Sequence, residues 1–558
     1  MKHYLSYIDE SIKANWKRPA LTNYGANTFT YGDVASEIEK MHILFEKCGI
    51  AKGEKIALCA RSQAEWCIAY LSVVTYDAVV VPLLPDFLPQ NIADLTKLSD
   101  SRLLLVDKNI IGNLNRDNIT PQFNDIENFC GIVDLIGMQV HADCNGMLAN
   151  INETVEKTFA TRFPNGVTAN RIDYAKTNLD ALSVISYTSG TSSSPKGVML
   201  NALSLSSNVE YARNNIKATP EDALLSILPL AHIFGQVFDF LFPISSGSHV
   251  NIFTEKPIPA RLLKAIADVK PFMFLTVPLL IEKIFRMRVM PTLKKPAMRV
   301  LLAIPGIKSL LLGKVRNKLV ATFGGKIVNG GGIIIGGAAI SKDVEMLMRE
   351  MKFPYTVGYG MTECGPLISY KPWQRSVARS CGAVARPGVI ARIDSEDATR
   401  IPGEIQVKGD SVMLGYYKNE EATKATFTAD GWLKTGDMGT IDKDENIFIK
   451  GRCKNMILTA NGQNVYPEEI EELVNQLPMV MESLVVGRKH GLAALIVPNP
   501  DAVKEAGITP EELQQIMEEN LFALNDRLPA YSKLTICEIM DEPFAKTPKL
   551  SIKRFMYK

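Results

Sequence analysis

An α/β fold, with a large N-terminal domain of parallel-sheet β/α layers and a small α+β C-terminal domain, is what this sequence predicts. Three observations carry the prediction. Short apolar runs of strand length alternate with amphipathic helical stretches through the first part of the chain, and such alternation implies parallel strands covered by helices. At 558 residues the chain exceeds what one hydrophobic core serves, so at least two domains are expected. Near Gly451 the pattern changes to acidic helices and a few strands, and the boundary is placed there, dividing the chain into 1–451 and 452–558.

The elements follow in order. Thr30 and Asp33 form a capping signal for a helix with Val34, Ile38, Met41 and Phe45 on one face, and Lys55 to Cys59 reads as a strand. A helix follows around Glu65 to Val74, then strands at Ala78 to Leu83 and Arg102 to Val106. The stretch from Asn109 to Asn170 shows no periodicity and is read as surface structure. Leu182 to Ile185 reads as a buried strand. After Gly451, Pro467 opens a short helix through Val474, and Ser483 to Gly487 and Ala494 to Val497 read as strands. Thr509, Pro510 and Glu512 cap a helix with Leu513, Ile516, Met517 and Leu524 inward.

Composition excludes specialists. A formal net charge of +2 argues against a strongly basic or acidic binder. Nine cysteines, odd in number and without metal-ligand spacing, suggest reduced thiols. The opening MKHYLSYIDESIK lacks the apolar core of a secretion signal, and no apolar run reaches the roughly 18 residues that span a bilayer. A cytoplasmic protein is expected.

The chemistry is concentrated in YTSGTSSSPKG, Tyr187 to Gly197, directly after the strand beginning at Leu182. Hydroxyls at Thr188, Ser189, Thr191 and Ser192 can donate to phosphate oxygens, Gly190 lets backbone N–H groups approach, and Lys196 adds a positive charge. This is not a Walker loop, which requires Gly before the Lys and Ser or Thr after it; here Pro195 and Gly197 occupy those places. A flexible linker is the alternative, and the ordering Pro-Lys-Gly between two apolar runs argues against it.

Further motifs appear in order: LPLAHIFGQ from Leu228, GGAAIS from Gly336, GYGMTECGP from Gly358, GWLKTGDMG from Gly431 and GRCKNMILTANGQNVYPEEIE from Gly451. Together they resemble the adenylate-forming superfamily of acyl-CoA synthetases, peptide-synthetase adenylation domains and luciferases, over nearly the whole chain. The TECGP and NVYPEEIE variants look most like long-chain fatty acid CoA ligases. The resemblance implies ATP-dependent conversion of a carboxylate to an acyl-adenylate, with pyrophosphate leaving, then transfer to coenzyme A beneath a mobile C-terminal lid.

It also implies roles. Lys196 and the hydroxyl loop hold the β- and γ-phosphates, and Glu363 helps hold a Mg²⁺, a hard ion suited to carboxylate oxygen. Tyr359 stacks on adenine, Gly337 and Ala338 run along the base beside Gly360, and Thr362 lies near the α-phosphate. Core packing would equally explain Tyr359 taken alone. Asp437 accepts from both ribose hydroxyls, although in isolation TGDMG is an ordinary turn. Arg452 contacts ribose or phosphate, Lys454 is the hinge of the lid, and Gly462 and Asn464 line the pantetheine tunnel. His232 lies at the mouth of the acyl pocket; by its neighbours alone it is a core histidine. Val237, Phe238, Phe240, Phe242 and Ile333 to Ile335 line a tunnel or form ordinary core.

One departure stands out. Relatives carry a lysine near the C-terminus that bridges the carboxylate and the α-phosphate, and strict register places Ser551 there, within FAKTPKLSIKR. Lys553 is the favoured substitute, then Lys549, with Lys546 behind both. Finally, residues 281–320 hold ten Lys or Arg and one acid, Glu282, among apolar clusters, which suits a membrane surface or a solvated helix face. Nucleic acid is not expected, because the segment has no set of aromatics for base stacking and the chain is nearly neutral. The expected partners are fatty acid, ATP and CoA. A ligase that loads a carrier protein, an acyl-AMP ligase, or a nucleotide-binding protein without turnover would share these motifs.

Overall fold

Strands Lys55–Cys59, Val79–Leu83 and Ser101–Val106 form the centre of an eight-stranded sheet, and their sequences explain why. Ile56, Ala57, Leu58 and Cys59 are all fully buried, so both faces of the strand are covered, as parallel strands under helices require. Successive residues enter different cores: Ile56 and Leu58 join one apolar cluster, Ala57 and Cys59 another. The computed structural model describes residues 1–188, 195–255, 258–458, 463–488, 491–546 and 552–557. Strands Leu182–Thr188 and Gly131–Asp134 extend the parallel centre. Lys196–Asn201, Gly415–Tyr416 and Val140–Asp143 close the edges antiparallel.

The helix Tyr31–Lys47 begins at the expected capping box, with Thr30 and Asp33 bonded reciprocally, and buries Val34, Ile38, Met41 and Phe45. Ala64–Thr75 is buried on every side, in keeping with its nearly uniform apolar sequence. The segment 109–170 departs from the expectation of surface structure. It supplies helices Lys108–Arg116 and Ile151–Arg162 and two sheet strands, and buries Phe123, Phe129 and Ile132 completely or nearly so. Ile110, Ile111 and Leu114 do share one face of the first helix, but that helix has nine residues and the two strands four each, too short to stand out in a periodicity window.

A second, three-stranded parallel sheet, Met273–Thr276, Gly332–Ile335 and Tyr355–Val357, carries the next motifs at its carboxyl ends. Ile333 and Ile335 sink into a core with Phe274, whereas Ile334 points to the opposite face with Leu275. A four-stranded antiparallel sheet, Ile390–Asp394, Gly403–Lys408, Leu433–Ile441 and Ile447–Arg452, precedes the last part of the chain. There Val480–Arg488, Gly491–Pro498 and Leu534–Ile539 form a separate three-stranded sheet with helices Pro467–Val474 and Pro510–Asn525. The capping box at Thr509 and Glu512 is present; Leu513, Met517, Leu521 and Leu524 are buried, and Ile516 is only half-buried. These elements share a core drawn entirely from residues after 456. The fold is therefore mixed α/β, a large parallel-sheet unit followed by a small α+β one.

One buried group is thermodynamically unusual. Asp239 lies on a π-helical turn, Gln236–Leu241, is fully buried, and accepts from the Ser226 hydroxyl at 3.1 Å. Burial pushes its carboxyl up to about 8. The native state then holds a proton that the unfolded chain releases above about pH 4, so stability falls as pH rises toward 8, by at most about 1.4 kcal/mol per pH unit. Asp239→Asn should flatten this. Thermal unfolding at pH 6 and pH 8 is expected to show a smaller drop in Tm for the variant than for the parent, and parallel drops would contradict a neutral Asp239.

Candidate active site

The hydroxyl-rich segment connects two antiparallel strands. Tyr187 pairs with Gly197 and Thr188 with Lys196, so Thr188 belongs to the strand end and not to the loop itself. Ser189, Gly190, Thr191 and Ser192 lie outside the described residues. Gly197 packs against the Tyr187 ring so closely that an added Cβ would lie 3.0 Å from it. The Lys196 ammonium stands 4.8 Å from the centre of the Tyr416 ring.

Tyr416 is a residue that sequence reading did not single out. Its strand pairs with the Lys196 strand, and its hydroxyl donates to Glu363 Oε1 at 2.9 Å. Burial pushes the Tyr416 phenol above its ordinary range, so it stays a neutral donor. Nearby, the Met413 N–H donates to the Glu363 carbonyl at 2.9 Å and the Tyr417 N–H to the Gly197 carbonyl at 2.7 Å. Residues 413–417 thus tie the Lys196 strand to the turn Thr362–Cys364. Thr362 is buried in that turn and Glu363 is half-buried.

The three parallel strands of the second sheet deliver their ends to the same place. Ile335 leads to Gly337 and Ala338, both exposed, with Gly337 in a left-handed conformation (φ +88°). Val357 leads to Gly358, Tyr359 and Gly360. A Cβ on Gly360 would lie 2.1 Å from the Pro366 carbonyl oxygen, so only glycine fits. The Tyr359 ring is buried and its hydroxyl donates to Asp437 Oδ2 at 2.7 Å. Asp437 is itself buried and pairs through Oδ1 with Arg452 Nε at 2.8 Å, its neighbour in strand register. Burial raises the Asp437 pKa, opposed by the Arg452 charge and the Tyr359 hydrogen bond.

At Gly358 lies a small apolar cavity of about 20 Å³, whose lining includes Phe234, Phe238, Leu275, Ile334 and Tyr370. Phe234 and Phe238 meet edge to face, with centroids 5.7 Å apart at 65°. An added Cβ on Gly336 would reach the Phe234 ring at 2.9 Å. Of the apolar candidates, Phe238 and Ile334 face this cavity, while Val237, Phe240, Phe242, Ile333 and Ile335 are buried core away from it. His232 is half-buried two residues before Phe234, and its carbonyl accepts the Gln236 N–H at 2.9 Å.

Arg452 is followed at once by a 3₁₀ turn, Cys453–Asn455, in which Lys454 is exposed. Asn464 is exposed and pairs with Leu458 across residues 459–462; Gly462 lies outside the described residues. Glu472 of the last unit accepts the Lys342 N–H at 2.6 Å and pairs with Arg379 at 2.8 Å. At the C-terminus, the Lys553 N–H donates to the Ala545 carbonyl at 2.8 Å, and Lys546 is engaged with Glu482 at 2.7 Å. Arg554 pairs with Glu471 and, at 3.7 Å, with Glu468. Among the described residues, nothing brings the Lys553 ammonium onto Thr362, Glu363 or Asp437. Lys549 and Ser551 lie outside the described residues.

Residues 8–417 match the AMP-binding enzyme family, and residues 454–557 match the AMP-binding enzyme C-terminal domain. Among curated relatives, a 4-coumarate–CoA ligase, CCL1 of Humulus lupulus, is 27% identical over 92% of this chain and 87% of its own length. The long-chain-fatty-acid–CoA ligase heimdall of Drosophila melanogaster is 25% identical over 92% of this chain and 77% of its own. ATP-bound MatB from Rhodopseudomonas palustris superimposes with a TM-score of 0.75 at 21% identity, covering 100% of this chain and 98% of that one. The family match spans most of the chain, and the motif-bearing strand ends converge on one buried tyrosine–carboxylate pair: the chain belongs to the AMP-binding enzymes.

Proposed function

We propose that this protein is an ATP-dependent acid–CoA ligase acting on a medium- or long-chain fatty acid. The observation that carries the substrate class is the apolar, aromatic-lined cavity at Gly358, the residue before Tyr359. An alkyl chain enters only if the cavity widens at the Phe234–Phe238 pair, whose contact is worth about 0.5–1.5 kcal/mol beyond the area the rings bury; each CH₂ that replaces the rings against the apolar lining gains about 0.8 kcal/mol. A hydroxycinnamic acid is the second reading, favoured by the same aromatic lining and by the names of relatives such as the hop enzyme.

In this reading the acid's carboxylate attacks the α-phosphorus of ATP and pyrophosphate leaves; the thiol of CoA then attacks the acyl carbonyl and AMP leaves. Lys196 and the hydroxyl segment from Thr188 to Ser192 hold the outer phosphates. Gly337, Ala338, Tyr359 and Gly360 enclose the base, Asp437 takes the ribose hydroxyls with Arg452 beside it, and Thr362 approaches the α-phosphate. Glu363 suits Mg²⁺, because Oε1 is fixed by Tyr416 and, among the described residues, Oε2 accepts no hydrogen bond. Bound there, the ion would neutralise phosphate charge. His232 borders the acyl pocket. Residues 452–558 act as the lid, turning at Lys454, with Gly462 and Asn464 along the CoA path and Lys553, or Lys549, supplying the bridging ammonium. A carrier-protein ligase, an acyl-AMP ligase or a binder without turnover are the competing outcomes.

A panel of saturated acids and 4-coumarate, each with ATP, Mg²⁺ and CoA, tests the proposal. AMP and pyrophosphate are expected with fatty acids, because attack is at the α-phosphate; ADP would contradict it, and a 4-coumarate preference would select the second reading. Acylation of a carrier protein but not of free CoA would select that alternative.

Glu363→Gln should abolish turnover at ordinary Mg²⁺ with partial rescue at high Mg²⁺. Tyr416→Phe keeps the ring beneath Lys196 and loses only the hydrogen bond, so the Mg²⁺ concentration for half-maximal rate should rise about tenfold with kcat largely preserved. An unchanged Mg²⁺ dependence would remove Tyr416 from the site.

Lys454→Pro restricts the backbone at the turn. Acid-dependent pyrophosphate exchange should largely survive while acyl-CoA formation falls. Equal loss of both would argue against the hinge.

A further inference from the structure

The helices between Pro278 and Thr322 present a surface that the site itself does not use. Leu279, Met287, Val300 and Leu310 are 65, 65, 68 and 61% exposed. They are interleaved with cations. Leu310, Lys314 and Lys318 recur at a spacing of four along the helix Pro305–Thr322 and are all exposed, and Lys283 lies midway between Leu279 and Met287. Lysine stems beside exposed apolar side chains are the arrangement that lets a charged head reach lipid phosphate while the apolar tips enter the acyl boundary.

The charge has nowhere else to go. Glu282, the single acid among residues 281–320, turns inward and accepts the Ser341 N–H at 2.7 Å. Arg286 and Lys308 are paired with Asp343 and Glu350. Lys283, Lys295, Lys314 and Lys318 have no ion pair among the described residues and are exposed. The segment is also joined to the pocket. The strand Met273–Thr276 contributes Leu275 to the cavity and runs directly into exposed Val277 and Leu279, while the Glu282–Ser341 bond anchors the first helix to the loop that carries Gly337 and Ala338.

We infer that this face docks on an anionic phospholipid bilayer, so that the mouth of the acyl pocket meets acid dissolved in the membrane. The identity of the acid rests on the function proposed above; the docking itself does not. A second copy of the chain is a poorer occupant, because a two-fold contact would set unpaired lysines against one another. Nucleic acid is poorer still: Phe285, the one aromatic among residues 281–320, is 1% exposed and offers no stacking surface. No helix among the described residues is long and apolar enough to cross a membrane, so contact would be at the interface.

Co-sedimentation of the full chain with phosphatidylcholine vesicles, with and without phosphatidylglycerol, tests this without turnover. Binding is expected to the anionic vesicles, to weaken about tenfold or more when salt is raised, and to be nearly absent with phosphatidylcholine alone. Replacing Lys283, Lys314 and Lys318 together by Glu, or Leu279 and Leu310 together by Ser, should each lower anionic binding about tenfold, with Tm and CoA-ester formation from a freely soluble short acid unchanged. Failure of the parent protein to bind, or equal binding to neutral and anionic vesicles, would overturn the proposal. So would concentration-dependent dimerisation of the parent that the same substitutions abolish. Because vesicle binding is read separately from the acid panel, loss of the fatty-acid reading would not be mistaken for loss of this one.

Discussion

A buried carboxylate, Asp437, is the constraint on which the arrangement of the site depends. An ionised carboxylate removed from water is costly unless it is paired and hydrogen-bonded, and here Tyr359 and Arg452 do both, one on each oxygen. Satisfying it fixes three things at once. The tyrosine at the end of the strand Tyr355–Val357 is held ring-inward, the strands Leu433–Ile441 and Ile447–Arg452 are locked in register at Asp437 and Arg452, and the chain leaves for its last unit from that point. Lys454 is two residues on. A change at this one pair would therefore act on the Tyr359 turn and on the exit to the last unit together.

A second constraint comes from sheet topology. In open α/β sheets, ligands gather beyond the carboxyl ends of the parallel strands, and here Thr276, Ile335 and Val357 end side by side. Beyond them the chain runs into exposed Val277, a glycine-rich loop and the Tyr359 turn in turn. Residues 413–417 then draw the Lys196 strand against Glu363, so that cationic and anionic groups approach through the neutral Tyr416 rather than in direct contact. That separation leaves both able to meet phosphate and metal.

Much of this was legible in the sequence, for physical reasons. Continuous apolar strands such as Lys55–Cys59 and reciprocal caps such as Thr30 with Asp33 are local signals, and they appear where expected. What escaped was nonlocal. Tyr416 reaches a carboxylate 53 residues away, and nothing around it marks the contact. Phe240 faces away from Phe238 as any residue two positions on in a helix does; Phe242, four positions on, would share the Phe238 face in an α-helix, but the π-helical turn Gln236–Leu241 breaks that period. In 109–170 the strands are too short and too irregularly spaced to read, yet they complete the main sheet. Thr188 ends a strand instead of lying in the loop, since pairing with Lys196 extends the ladder past the apolar run.

The last unit meets the large one through polar contacts: Glu472 accepts the Lys342 N–H and pairs with Arg379, and Glu469 pairs with Lys450. The last unit's apolar core is drawn from its own residues, and a polar junction of this type permits rotation. The most direct test of the account is a crystal structure with a non-hydrolysable fatty-acyl adenylate, such as an acyl sulfamoyl adenosine. The account predicts the ribose hydroxyls on Asp437, the adenine against Tyr359, and the alkyl chain between a separated Phe234 and Phe238. A ligand bound elsewhere, or one bound with the Phe234–Phe238 pair closed and Asp437 untouched, would contradict it.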